Sequence, residues 1–374
     1  MSLFAVVATE LIGFGLIIPV LPQIASNFGV SGFAMGFLLA SYSLAQFVAA
    51  PILGSLSDVY GRRPILVISK IGTIAGYIAL ALANQYWLFL VARLIDGFTG
   101  GNIAVARAYA ADITTEKDRS KGMAIIGISF GVGFVLGPAL GGLMYGLGGH
   151  APAALLAAAL SFAALLMTLF FLKEPPHRAV TKSHAIKLLA FTKIRFSRNV
   201  WLLCAAQVVF MMFFSGFETT FSLFTHQRFS FNEQQNSLMF MLSGILILMI
   251  QGYFTRKTIA KGHLAVWAGL LFCSASFLIL GAVNHVQWLI LDLFFLAFGV
   301  CLLNVYLPSL LSTNSGESLR GEVMGIYEGL GSLSRIAGPL LAYVVIVPSF
   351  GWLYGVFGLG LIGIFAVFAL FYRA

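Results

Sequence analysis

Charge is what this sequence has least of. Asp, Glu, Lys and Arg make up 9% of its 374 residues, against roughly 25% in an ordinary soluble domain. So few charges cannot cover a soluble globule. With 60% hydrophobic residues and 35 Phe, the chain is not compositionally disordered either. Cysteine is scarce: Cys204, Cys273 and Cys301 lie in apolar runs without CxxC spacing. That excludes a secreted disulfide scaffold and offers no metal or redox site. The net charge of +9 would fit a nucleic-acid partner if it formed a patch. The basic residues instead scatter through short connections, so no nucleic-acid partner is expected. HExxH and GxxxxGK[ST] are also missing. Neither an enzyme nor an ATP-driven pump is expected, and no cofactor beyond a proton gradient.

Long apolar runs are what the sequence has instead. A membrane-crossing helix needs about 20 mostly apolar residues. Twelve such runs lie near 3–23, 32–53, 64–83, 86–110, 121–146, 152–172, 199–222, 236–254, 264–282, 286–311, 322–346 and 351–371. They leave room only for loops, so the expected class is an all-α membrane protein. The first run has no basic leader segment and carries Glu10 and Pro19, so it is not expected to be a signal peptide.

Lys and Arg in short loops set orientation. The connections after even-numbered runs carry Arg62 and Arg63; Lys117, Arg119 and Lys121; Arg178 to Arg198 with six basic residues; Arg256, Lys257 and Lys261; and Arg320. The opposite connections are nearly bare, Arg228 excepted. Both termini are therefore expected in the cytoplasm, in a multi-pass protein of a bacterial inner membrane. The linker 174–198 divides the chain into two six-helix bundles, 1–173 and 199–374. Its stretch KSHAIKLLAFTKIRF could lie as an amphipathic helix on an anionic leaflet or serve as a plain basic linker.

The halves carry a faint duplicate. RSKGMAIIG begins at Arg119 and RGEVMGIYEG at Arg320, and Met123 and Met324, Gly137-Pro138 and Gly338-Pro339 keep the same offset. Repeated halves around a central site are the architecture of secondary transporters.

Between the second and third runs stands GSLSDVYGRRP, from Gly54 to Pro64. This G-x-x-x-D-x-x-G-R-R loop resembles the signature loop of the major facilitator superfamily. GFGLIIPVLP, RLIDGFTGG and GVGFVLGPALGG, in the first, fourth and fifth runs, resemble its drug/proton antiporter branch. SYSLAQFVAAP and FSLFTHQRF are similar to segments of bacterial tetracycline exporters and tetracycline-transporter-like proteins. The likeness is dense in the first half and thinner in the second. It implies twelve helices in two six-helix pseudo-repeats. It also implies a cytoplasmic latch of Gly54, Asp58, Gly61, Arg62, Arg63 and Asp112, with Arg62 reaching Asp112. Val59 stands where the family often has a basic residue, which would weaken the latch. Topology signalling alone is the simpler reading of these charges. The loop 252–263 keeps basic residues but no acid, so a second latch is not expected.

In the fifth run Gly133, Gly137 and Gly141 recur every four residues, beside Gly127, Gly131, Pro138 and Gly142. Such a stripe permits close helix packing. The resemblance implies a hinge, with Gly133, Gly137, Pro138, Gly141 and Gly142, that seals an exporter against proton leak.

Ionisable residues in a span are costly and usually functional. Glu10 stands in the first run, and Arg93 and Asp96 lie three apart in the fourth. Glu10 and Arg93 match the first-helix acid and fourth-helix arginine of the exporters, so these three are the expected proton-coupling residues. A carboxylate that alternates between dry and charge-paired surroundings changes its protonation with conformation. A static ion pair among the three is the alternative. Glu328 and Arg335 are two turns apart on the eleventh run, where the first half has Gly127 and Phe134. Glu218 and Asp292 could simply be hydrated at span ends. Candidates for lining a substrate cavity are Tyr42, Gln46, Asn102, Gln207, Phe210, Phe214, Glu218, Asn304, Tyr306, Glu328 and Arg335.

The expected function is a proton-coupled antiporter, a monomer in the bilayer, that expels a small amphipathic organic solute or drug by alternating access. The alternative is a proton-coupled importer or symporter of a metabolite or organic anion.

Overall fold

The structure, a computed structural model, describes residues 2–18, 21, 24, 29–30, 32–113, 119–175, 197–254, 262–315, 320–346 and 349–372. The amphipathic stretch expected in the linker, most of its basic residues and the loop 255–261 lie outside them. So do the side chains of Arg119, Lys121, Gly127, Phe134 and Arg320.

The described residues are helical, without a strand. The helices are α1 (Ser2–Ile17), α2 (Gly32–Tyr60), α3 (Arg62–Leu82), α4 (Tyr86–Gly100), α5 (Asn102–Asp112), α6 (Arg119–Gly148), α7 (His150–Phe171), α8 (Arg198–Phe229), α9 (Glu233–Phe254), α10 (Gly262–Ala282), α11 (Val286–Asn314), α12 (Arg320–Val345) and α13 (Phe350–Phe371). With α4 and α5 taken as one broken span, these match the twelve apolar runs. Ten helical stretches are long and apolar enough to cross a membrane. Their surfaces carry large exposed apolar side chains such as Leu82, Trp87, Phe170 and Leu370. Water would penalise such a surface and lipid would not.

Two expectations about local structure need correcting. The signature segment is not a loop. Gly54 to Tyr60 continue α2, and α3 starts at Arg62, so Gly61 alone makes the turn. Its φ of 98° is open to glycine and strained for other residues. Gly54, by contrast, is not a site of close approach: a methyl there would meet nothing within 4 Å. The fourth span breaks at Gly101, where a methyl would fall 2.9 Å from the Ala50 amide nitrogen of α2. Gly100 likewise has the Tyr42 side chain against it.

The chain forms two compact units. One contains Met1–Lys187 with Asn232–Met241, the other Leu188–Phe231 with Leu242–Ala374. In the first, α1 packs on α6 and α7, α3 on α4 and α7, and α2 on α4. The glycine stripe explains the α1–α6 seam. A methyl on Gly137 would sit 2.6 Å from Gly15 Cα, and one on Gly133 the same distance from Leu11 Cβ. Gly141 abuts the Leu16 carbonyl, whereas Gly142 points away from α1. Four of the five expected hinge residues thus lie at or beside one seam, with Pro138 Cδ next to Gly15. In the second unit α8 packs on α12, and α10 on α11 and α13. There a methyl on Gly338 would lie 3.0 Å from the Gly216 amide nitrogen. The pair Gly216 and Gly338 keeps the sequence offset of Gly15 and Gly137.

Candidate functional site

Glu10 is 4% exposed, deep in α1. Lys70 faces it from α3 and is 1% exposed. The Lys70 ammonium donates to Glu10 Oε2, and at 3.4 Å to the Val6 carbonyl. Thr73, one turn further along α3, donates to Glu10 Oε1 at 3.5 Å. It also shares a 3.0 Å hydrogen bond with Thr99 of α4. Gly72 and Gly76 let α3 come this close, since a methyl on Gly76 would lie 3.0 Å from the Asp96 amide nitrogen.

The second pair lies within α4. Arg93 Nη1 donates to Asp96 Oδ2 at 2.9 Å, as their helical spacing allows. The Arg93 guanidinium also sits over the Tyr42 ring, 4.6 Å from its centroid. Asp96 lies within electrostatic reach of both Glu10 and Lys70, so four charges from three helices form one buried group. The ion partner of Glu10 is therefore Lys70, a residue not singled out from the sequence. The signal was present in the sequence: a single lysine interrupts the third apolar run, and a charge there is as costly as Glu10. Gln46 is turned to the break in the fourth span and donates to the Gly100 carbonyl at 3.0 Å. Asn102, just past the break, is 3% exposed, and its Nδ2 has no hydrogen-bond partner.

At the other end of α3, Arg62 gathers the latch residues. Its guanidinium meets Asp112 at 2.8 Å, Asp58 at 2.5 Å and Ser57 at 2.6 Å. The Arg63 guanidinium forms no salt bridge among the described residues. It donates to the Thr168 and Leu169 carbonyls at 3.4 and 2.5 Å, groups that the end of α7 leaves unpaired. Glu174 was not singled out from the sequence. Its carboxylate accepts from the Arg62 and Arg63 amides at 2.6 and 2.8 Å, capping α3 across the Gly61 turn.

In the second half Gln207, Phe210, Phe214 and Glu218 lie on α8, Glu328 and Arg335 on α12, which packs on it, and Asn304 and Tyr306 on α11. Gln207 accepts from the Tyr327 hydroxyl at 2.8 Å. Phe210 is 1% exposed. The Phe214 ring lies beside it, tilted, at 5.9 Å. Tyr306 is buried and Asn304 exposed on α11. Glu328 is exposed, and Arg335 is half-buried and donates to Ser332 at 3.3 Å. Hydration at span ends does not describe Glu218 and Asp292. Glu218 Oε1 is buried without a hydrogen-bond partner, and Arg335 lies within electrostatic reach. Asp292 is 1% exposed: Oδ2 accepts from Ser276 at 3.1 Å, while Oδ1 has no partner.

A buried charge cluster within a helical unit, a charged turn between two helices, and a seam repeated in both units are now in view. A family model described as Major Facilitator Superfamily matches residues 3–339. The chain belongs to that superfamily. Human major facilitator superfamily domain-containing protein 10 is 33% identical over 339 residues, covering 86% of this chain and 73% of the relative. The class C tetracycline resistance protein of Escherichia coli is 31% identical over 361 residues, covering 92% and 88%. Among solved structures, the human organic anion transporter MFSD10 superposes with a TM-score of 0.76 at 27% identity, covering 98% of this chain and 97% of that one. The nucleoside transporter NupG gives 0.83 at 14% identity, covering 100% and 99%, a likeness of fold alone. The superfamily membership makes this chain a multi-pass membrane transporter of small molecules and not an enzyme.

Proposed function

We propose that the chain is a proton-coupled secondary transporter that moves a small amphipathic organic solute by alternating access. The observation that carries this reading is Glu10, a buried carboxylate whose ion partner stands on a different helix. A shift of α1 against α3 changes what surrounds that carboxylate, and its proton affinity changes with them. Export in exchange for protons is the first direction, supported by the likeness to tetracycline resistance proteins and by the tight α1–α6 seam. The basic connections support cytoplasmic termini in a bacterial inner membrane. A chain with both halves can work as a monomer.

A second reading, proton-coupled cotransport of an organic anion, is favoured by Lys70. A buried ammonium beside the proton site is a ready counter-ion for an acidic solute. One relative is described as an organic anion transporter. The test is flux in proteoliposomes with a pH-sensitive dye inside. Protons moving against the solute support exchange, and protons moving with it support cotransport. In either case Glu10→Gln should abolish uphill transport while downhill exchange survives. Uphill transport by Glu10→Gln, with normal proton flux, would place the proton site elsewhere.

A further inference from the structure

Among the described residues, the buried charges of the first unit sum to zero. Glu10 and Asp96 are the acids, Lys70 and Arg93 the bases. The neighbouring groups that can titrate are Tyr42 on α2 and Tyr77 on α3, with Arg107 and Tyr109 further along α5. Asp112 is held by Arg62. The described side chains of α6 and α7 include no Asp, Glu, Lys or Arg. Arg93 Nε, inside the cluster, is a buried donor without a hydrogen-bond partner, like Asn102 Nδ2 beyond the break. The other buried polar atoms without a partner in this unit are the hydroxyls of Ser69, Ser161 and Ser237, which can donate, so each of these groups has a hydrogen to offer an acceptor.

We infer that Lys70 fixes the charge of the solute that travels with the proton: an organic anion, whose acidic group takes Lys70 as counter-ion when Glu10 is protonated. The inference rests on the cotransport reading above and deepens it. A proton on Glu10 leaves the ammonium without its carboxylate, and the cluster becomes cationic. An anion bound alone makes it anionic. Either excess charge, closed off from water in an apolar interior, costs several kcal/mol. The empty cluster and the cluster holding both proton and anion are neutral. These two states are the ones that can change access cheaply, and alternation between them is cotransport. A cationic or neutral solute exchanging with a proton would need the cationic cluster on every proton-bearing step. The residue type fits the role. Lysine is a compact charge on a flexible stem and can pass from one carboxylate to another, whereas Arg93 is fixed between Asp96 and the Tyr42 ring.

The test uses the purified full chain and three probes of one skeleton: 1-naphthylacetate, its amide and 1-naphthylmethylamine. The carboxylate should raise the melting temperature, because a ligand stabilises the state it binds. It should bind about tenfold more tightly at mildly acidic than at neutral pH, since proton and anion favour each other reciprocally. Amide and amine should do neither. Lys70→Gln should lose the carboxylate preference, Lys70→Arg should keep part of it, and Glu10→Gln should bind the carboxylate without pH dependence. Glu10→Gln/Lys70→Gln keeps the cluster neutral and should stay folded with no anion preference, which separates the effect from misfolding. Wild-type protein that ignores the carboxylate or prefers the amine overturns the inference, as does carboxylate preference in Lys70→Gln. Flux separates the two levels. Protons moving against the solute sink the cotransport reading, while protons moving with it and a selective Lys70→Gln sink the role of Lys70 alone.

Discussion

In the first unit α1 meets α6 with Gly15 against Gly137; in the second, α8 meets α12 with Gly216 against Gly338. Around this shared frame the two cores are filled differently. The first is lined by small and aliphatic residues, with Ala153, Ala154, Ala157 and Ala164 of α7 fully buried, and it encloses two ion pairs. The second is aromatic. Phe213 stacks on Phe357 at 4.8 Å, and Phe217, Phe221, Phe277 and Tyr354 continue the cluster. Its buried acid Asp292 has a serine partner and, among the described residues, no salt bridge. In both units the close approach of the paired helices rests on glycines, so the frame itself is set by them. Charges that the frame does not need are the ones to examine for function.

The comparison is broken most severely at Asp96. Asp96→Asn leaves Arg93 buried without its carboxylate, a loss worth about 3–5 kcal/mol. We expect a marked fall in the melting temperature in detergent, with uphill transport lost. An unchanged melting temperature would mean that the guanidinium has another acid to hold. The next effect concerns the frame itself. Gly137→Leu and Gly338→Leu each force a side chain against backbone and should cost about 1–3 kcal/mol, and by similar amounts if the seams are equivalent. Tolerance at one site alone, measured by thermal unfolding, would show that the repeat is one of sequence and not of packing.

Asp58→Asn touches an exposed pair at the Arg62 turn, so its stability cost should be within about 1 kcal/mol. Transport should nevertheless fall by about tenfold or more if the turn latches a transport state. Full transport would reduce these charges to topology signals. The smallest effect belongs to Asp292→Asn. Its carboxyl strands no cation among the described residues, and the amide oxygen can still accept from Ser276. Transport should stay above half of wild type. A collapse there would move the search for a second proton site into the aromatic unit.

Much of this was legible because a membrane helix satisfies its own backbone, so twelve apolar runs predict twelve spans without knowledge of their neighbours. Gly137 and Gly338 could be paired from their spacing, and Arg62 with Asp112 from the motif. Phe210 could not be sorted into core or cavity, because facing depends on which helices lie beside it. The Gly54–Tyr60 segment read as a loop because polar residues in a chain like this usually mark connections, yet they extend α2 beyond its apolar stretch.

The sequence by itself determined the class, the number of spans, the bias of basic residues and the positions of the costly charges, since each follows from composition and order along one chain. Only the tertiary structure decided which charge answers which. Glu10 and Lys70 are separated by 60 positions, and no period or spacing links them. They meet because Gly72 and Gly76 bring α3 against α4 while α1 packs alongside, and buried ions settle on whichever opposite charge that packing places within reach.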